Sequence, residues 1–473
     1  MNSPSAGDAP SSPAQPIPER RPPGPPPMGS NPFALLNYAR IFREDPIGFV
    51  GGRFETYGDM YSTTFRGVPL YVTRHPAHIH ETLVTRGQSF QKPETGFGAR
   101  QLRRFLGTGL VTSNGDFWRR QRRMINPAFN RRRIEAFGDV MVEKAVAAML
   151  GWRSGDVREI GHVMMSITLA IVAKTLFDAD TSADQDRVSR ALDAFRNSSS
   201  AATFLPDWVP LPSIRRTRQA LLDVDQIVYG LIDERRKETD EALATRGDLL
   251  SALLLATEDG SSTAATGARM TRKELRDELL TLFLAGHETT SQALTWTFYL
   301  LSQHPEIEAE VQDELDRVLG GRLATAADDL PLVDRVIQES MRLYPPVTTV
   351  ARAAIEDTEV GGWAIPKGAD MICWIYHAHH DPRWWPDPER FDPNRFRPDR
   401  LATIPDGAFT PFGAGQRQCI GKHFSLMEAR LILATILQRY RLRLVPGHRV
   451  ERHVAVTMSP RYGMKMAVYP QRH

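Results

Sequence analysis

The chain of 473 residues holds two cysteines, and their settings separate a packing residue from a reactive one. Cys419 lies in the run Phe412-Gly-Ala-Gly-Gln-Arg-Gln-Cys-Ile-Gly421. Gly413, Gly415 and Gly421 let the backbone turn sharply and approach a flat ligand, and Arg417 can pair with a carboxylate. An amphipathic helix is expected from Gly421 to about Arg439, so the thiol stands just ahead of a helix N-terminus. There the helix dipole and unpaired amides favour a thiolate, the form that binds metal. Cys373, inside the apolar run Met371-Ile-Cys-Trp-Ile375, reads as a strand residue packed in a core.

Three further sets of residues have spacings that could matter chemically. Glu339 and Arg342 are i and i+3 on an expected helix and can pair on one face. Ala285-Gly-His-Glu-Thr-Thr290 sits in the middle of a long helical pattern, where Gly286, Thr289 and Thr290 are poor helix formers. Such a place is expected to carry a kink or a functional interruption. Trp118-Arg-Arg-Gln-Arg-Arg123 puts four arginines in six positions.

Together these segments resemble the cytochrome P-450 family. Phe412 to Gly421 is similar to its haem-binding signature, in which the cysteine is the axial thiolate of the iron. The resemblance implies a mostly helical fold with a small β subdomain and a long central helix, non-covalently held haem b, and insertion of one atom of O2 into a hydrophobic organic substrate. It implies that Glu339, Arg342 and Arg395 (in Phe391-Asp-Pro-Asn-Arg-Phe396) form a structural triad. Thr289 would order water at bound oxygen and Glu288 would feed protons to it. Trp118, Arg122, Arg352 and Arg417 would contact the haem propionates, which need several donors once buried. Arginines elsewhere in 119–133, Arg119 and Arg131 among them, would face an acidic electron-transfer protein. A peroxygenase driven by H2O2 is the alternative within the family, and the intact Glu288-Thr289 pair favours the O2-dependent activity. A haem sensor is a non-enzymatic alternative that would not need Thr289.

These residues must be held by a large body. The 41% apolar content supports a real core, and the formal charge of +3 does not suggest nucleic-acid binding. Two cysteines are too few for a disulfide scaffold, which points to a reducing, cytoplasmic setting. Residues 1–30 are expected to be a disordered arm, stiffened by prolines at 22–27, and 31–473 one domain. The arm has no apolar run long enough for a membrane anchor. A monomer is expected. Electrons are expected from a ferredoxin or flavodoxin with its NAD(P)H-dependent reductase, since little chain follows the family's last strands.

Helical periodicity marks 133–151, 159–177, 184–195, 215–236 and 271–303. Asn31 to Phe49 is weakly helical, Tyr61 to Thr73 reads as a hairpin around Gly67, and Pro76 starts a helix. Gly87 to Gly109 reads as a long loop. Strands return at Val360 to Trp363, Asp370 to Ile375 and Val454 to Val468. Thr271 with Glu274 forms a capping-box signature, and His304-Pro305 closes the longest helix. A substrate pocket lined by Phe97, Phe105, Leu106, Phe204, Trp208, Val347, Val350 and Met458 would be apolar, suited to a fatty acid or terpenoid. Lys92 and Arg100 are possible carboxylate anchors there.

Overall fold

A computed structural model describes residues 20–26, 40–65, 67–94, 97–178, 212–256 and 269–471. The longer helices are α1 (Pro46–Tyr57), α2 (Phe97–Leu106), α3 (Gly115–Ile125), α4 (Gly138–Ala148), α5 (Ile160–Phe177) and α6 (Pro212–Arg235). They continue with α7 (Arg272–Gln303), α8 (Pro305–Leu319), α9 (Pro331–Leu343) and α10 (Lys422–Leu437). The expected helix at 184–195 lies outside the described residues.

Helix α7 organises the rest. Thr271 accepts from Glu274 N while Glu274 returns a bond to Thr271 N, a complete capping box. Its 32 residues, rising 1.5 Å each, span about 48 Å. Helical structure is unbroken through Gly286, and the Thr289 and Thr290 hydroxyls bond back to the carbonyls of Ala285 (2.8 Å) and Gly286 (3.2 Å).

The main hydrophobic cluster gathers Met141 from α4, Met164 from α5, Trp296 from α7, Val311 from α8, Val333 from α9 and Leu431 from α10. Trp296 is fully buried and stacks on Tyr344 with centroids 4.1 Å apart. Each large side chain so buried is worth roughly 1.5–3 kcal/mol. A second cluster packs α3, the C-terminal half of α5, α6 and the first turns of α7. Helix α5 is apolar apart from an exposed stripe of His162, Ser166 and Lys174, and among the described residues it alone is long and apolar enough to cross a membrane. Here it lies against α7, where Thr168 Oγ1 donates to His287 O at 3.0 Å.

Strands β1 (Met60–Phe65) and β2 (Val68–Thr73) form the expected hairpin, with Phe65 opposite Val68. They continue through β8 (Asp370–Trp374) and β5 (Thr349–Ala354) to β3 (Phe90–Gln91). The remaining strands are β4 (Val157–Glu159), β6 (Thr358–Val360), β7 (Trp363–Ile365), β9 (Tyr440–Leu444), β10 (Arg452–Val454), β11 (Met458–Pro460) and β12 (Lys465–Pro470). The stretch expected as one strand at Val360 to Trp363 is instead the turn joining β6 to β7.

Two segments differ from the sequence reading. Gly87 to Gly109 contains β3 and α2 rather than a loop throughout; Phe105 and Leu106 of α2 are buried against Leu221 and Leu284. Residues 20–26, within the arm expected to be disordered, lie against the sheet. Ser62 N donates to Pro23 O at 3.0 Å, Ser62 Oγ to Pro22 O at 2.8 Å, and Ala364 N to Arg20 O at 3.0 Å.

Candidate active site

The segment before α10 holds Cys419 in a fixed position. Cys419 N donates to Phe412 O at 2.9 Å, and the Phe412 side chain packs against the main core. Gly415 has φ +68°, and a Cβ there would lie 1.9 Å from Leu83 O, so only glycine admits this approach. The Cys419 side chain is exposed, yet burial is the first cause raising its thiol pKa, opposed by a backbone bond from Gly421 and the charges of Arg122 and Lys422. A thiol both surrounded by protein and open to space faces an internal hollow. Cys373, in β8, is fully buried and pushed up to about 12 by burial, as suits an inert packing residue.

The middle of α7 also opens to space. Ala285 is exposed, and Leu284, Gly286 and Thr289 are part-exposed, on a helix otherwise buried for most of its length. Thr290 Oγ1 and Ser425 Oγ, 3.0 Å apart, tie this region to the helix that follows Cys419. Glu288 is buried and accepts a 2.8 Å bond from Thr457 Oγ1.

A cluster of cations closes another side. Arg417 Nη1 donates to Ser113 O at 3.0 Å and Nη2 to Asn114 Oδ1 at 2.9 Å, and its guanidinium lies 4.2 Å over the Trp118 ring. Asn114 also pins Lys92, accepting from Lys92 N at 2.9 Å and donating to Lys92 O at 3.0 Å. Arg352, 4% exposed, donates to the carbonyl of its neighbour Ala351. Among the described residues none of Lys92, Arg122, Arg352 and Arg417 forms an ion pair with a carboxylate. Burial first, then mutual repulsion, brings Lys92 down to about 7 and Arg417 down to about 10. Burial also lowers Arg352 and Arg122, and Cys419 partly offsets the latter.

Buried, mutually repelling cations are costly unless an anion joins them. They fit a dianionic ligand that enters the hollow. Among the described residues no group of three His, Cys, Asp or Glu side chains could hold a bare metal ion. One accessible sulfur suits a metal whose other ligands arrive with a flat cofactor. The donor set therefore fits an iron porphyrin with two carboxylates.

The triad residues come together. Arg342 donates to Glu339 through Nε (2.7 Å to Oε2) and Nη2 (2.9 Å to Oε1), with both side chains fully buried. Arg395 Nε lies 3.4 Å from Glu339 Oε1, and Asp392 N donates to the same oxygen at 3.0 Å. Burial pushes the Glu339 carboxyl up, while Arg342, the Asp392 amide and Arg395 oppose it. Two guanidiniums and an amide around one carboxylate favour the ionised pair.

Not every arginine of 119–133 behaves alike. Arg119 and Arg131 lie on the outer surface, paired with Asp116 (2.6 Å) and Glu135 (2.8 Å). Of the expected pocket residues, Phe204 and Trp208 lie outside the described residues, Val347 and Val350 are half-buried, and Phe105, Leu106 and Met458 are buried. From the sequence Lys92 reads only as a possible substrate anchor and Asn114 and the Thr457 hydroxyl carry no signal, whereas the exposed Val456 lies in the turn around Met458 expected to border the pocket. Asn114 stands at the N-cap of α3, but its side chain makes no capping bond and serves Lys92 and Arg417 instead.

The family model described as Cytochrome P450 matches residues 22–465. The chain is 33% identical to cyclooctatin synthase of Streptomyces melanosporofaciens over 446 residues, covering 93% of each chain. It is 34% identical to pentalenene oxygenase of Streptomyces avermitilis, covering 87% of this chain and 90% of the relative. Among solved structures, a retinoic acid bound cyanobacterial CYP120A1 superposes with a TM-score of 0.81 at 26% identity, covering 95% of this chain and all of the other.

Proposed function

This chain belongs to the cytochrome P-450 family of haem-dependent monooxygenases, and from that premise we propose that Cys419 would hold the iron of a haem b through its sulfur. The observation that carries the assignment is the accessible thiol deep in the protein, near cations that form no ion pair with a carboxylate among the described residues. In this reading Arg417, Arg352, Lys92 and Arg122 neutralise the two propionates, Trp118 packs under the Arg417 guanidinium, and Phe412 fixes the cysteine backbone. The haem, once bound, would supply the redox chemistry, with the Cys419 sulfur tuning it as its thiolate donor.

The protein's own residues supply position and protons. The overall change is RH + O2 + two electrons + two protons → ROH + H2O. Thr289 presents a hydroxyl at the hollow, Glu288 supplies the acid next to it, and the apolar lining excludes bulk water so that few competing proton donors intrude. The Glu339, Arg342 and Arg395 triad holds the surrounding segments in register. Residues 31–473 would act as one monomeric, cytoplasmic unit that receives electrons from a ferredoxin or flavodoxin.

An apolar substrate fits the half-buried Val347 and Val350 and the exposed Val456. Pentalenene, cyclooctat-9-en-7-ol and similar carbon-ring molecules with few polar groups are the favoured class, because relatives that cover most of this chain are named for acting on them. The deciding experiment is haem reconstitution of wild type and C419S. Wild type should give the reduced-CO absorption band of thiolate-ligated haem and C419S should fold but lack it. A C419S protein that keeps the band would refute the assignment.

A further inference from the structure

The hairpin of β10 and β11 has a three-residue tip, Ala455 to Thr457, closed by Ala455 N donating to Thr457 O at 3.2 Å. Its base is clamped from two sides. Met458 N donates to Pro346 O at 2.9 Å, and Trp296 Nε1 of α7 donates to Met458 O at 3.3 Å. Consecutive tip residues are presented differently: Val456 is 38% exposed, whereas Thr457 is 7% exposed. The buried Thr457 hydroxyl donates to Glu288 Oε1 at 2.8 Å, reaching the residue next to Thr289 from 169 positions away in the chain.

We propose that Thr457 is a positioning residue for the reaction, its hydroxyl fixing the orientation of the Glu288 carboxyl from a hairpin held at its base. The proposal rests on the role given above to Glu288. A glutamate has three side-chain torsions, and one donor on a clamped backbone removes much of their freedom. Orientation matters here because two outcomes compete for the same oxygen. Reduction by two electrons and two protons releases H2O2; four electrons and four protons give two H2O. A displaced acid therefore changes how O2 is divided between these products, not only how fast it is consumed. A hydroxyl that merely satisfied a buried carboxyl would alter stability and leave that division unchanged.

The test compares haem-reconstituted wild type, T457V, T457S and E288Q, with rates normalised to the amount of protein giving the reduced-CO band. NADPH oxidation is run without organic substrate, using a surrogate ferredoxin and its reductase, and peroxide per O2 consumed is measured. Independently, infrared spectra of protein labelled with 13C-glutamate assign the Glu288 band by difference from E288Q. T457V should change the peroxide share severalfold in the same direction as E288Q and shift the Glu288 band, and T457S should restore both. T457A, lacking the same hydroxyl, is read in the same way if T457V does not hold haem. A T457V protein that matches wild type in both measurements, while E288Q does not, overturns the proposal and leaves the reading of Glu288 intact. An E288Q protein with wild-type peroxide share overturns both.

Discussion

Replacing Glu339 with alanine isolates the energetic role of the buried triad. In the intact protein the carboxylate accepts from two nitrogens of Arg342 and from Asp392 N, with Arg395 at 3.4 Å. In E339A the Arg342 guanidinium, fully buried, keeps only carbonyl partners, His379 O at 2.8 Å and Arg390 O at 3.3 Å. The Trp385 ring, 5.3 Å from that guanidinium, supplies no anion, and a water entering the space left by the glutamate side chain brings no charge. Leaving one member of a buried pair uncompensated costs about 3–5 kcal/mol. At about 1.4 kcal/mol per factor of ten, that shifts the folding equilibrium by roughly two to nearly four powers of ten. Against a total stability of about 5–15 kcal/mol, this is a large fraction.

The assay is the urea midpoint of the haem-free protein, followed by tryptophan fluorescence, together with the haem-to-protein ratio after expression. E339A should unfold at clearly lower urea and retain little haem. D116A is the matched comparison. It breaks an Arg119 pair with similar chemistry, but the Asp116 side chain is 96% exposed, so the expected cost is within about 1 kcal/mol. Equal midpoints and haem content in E339A and wild type would refute the argument that burial makes this pair structurally decisive.

Two pH dependences follow from buried bases. Lys92 titrates near 7 in the haem-free protein, against about 10.4 in an unfolded chain, so between those values the unfolded state binds more protons. Its contribution to haem-free stability should therefore rise with pH from about 7 towards 10; the difference between wild-type and K92M melting curves measures it, and a flat difference would exclude the buried cation. Haem binding should remove that rise if its carboxylates pair with Lys92. At the acid end, burial holds His379 down to about 3 and His78 and His377 down to about 4. These rings stay neutral when folded but accept protons near 6.5 when unfolded, so stability should fall as pH drops from about 6.5 towards 4. Thermal midpoints across that range check the sign, and a midpoint that rises on acidification would refute it.

What the sequence revealed depended on how locally a feature is encoded. The capping box of α7 lies within one turn, so side-chain type and spacing sufficed, whereas the close approach of Gly415 is to Leu83 O, distant in the chain, and was not legible. Helix α2 was missed because its ten residues, Phe97–Leu106, include three arginines and sit among glycines, while the apolar contacts that stabilise it come from Leu221 and Leu284. The arm at residues 20–26 reads as unpartnered on composition alone; Ser62 and Ala364 supply the bonds that hold it.

The same division runs through the site. Arg119 and Arg122 are three residues apart and indistinguishable by type, yet one pairs with an exposed Asp116 and the other feels the charge of Cys419. Lys92, Arg352 and Arg417 acquire meaning only as a group, brought together by Asn114 and by the meeting of β3 and β5, where Phe90 pairs with Ala354. Each alone would be an ordinary solvated cation. Brought together, and forming no ion pair with a carboxylate among the described residues, they carry an electrostatic cost that an anionic ligand would relieve. In the proposed reading, the cofactor's carboxylates would relieve this repulsion, a feature that Cys419 and its sequence neighbours do not reveal.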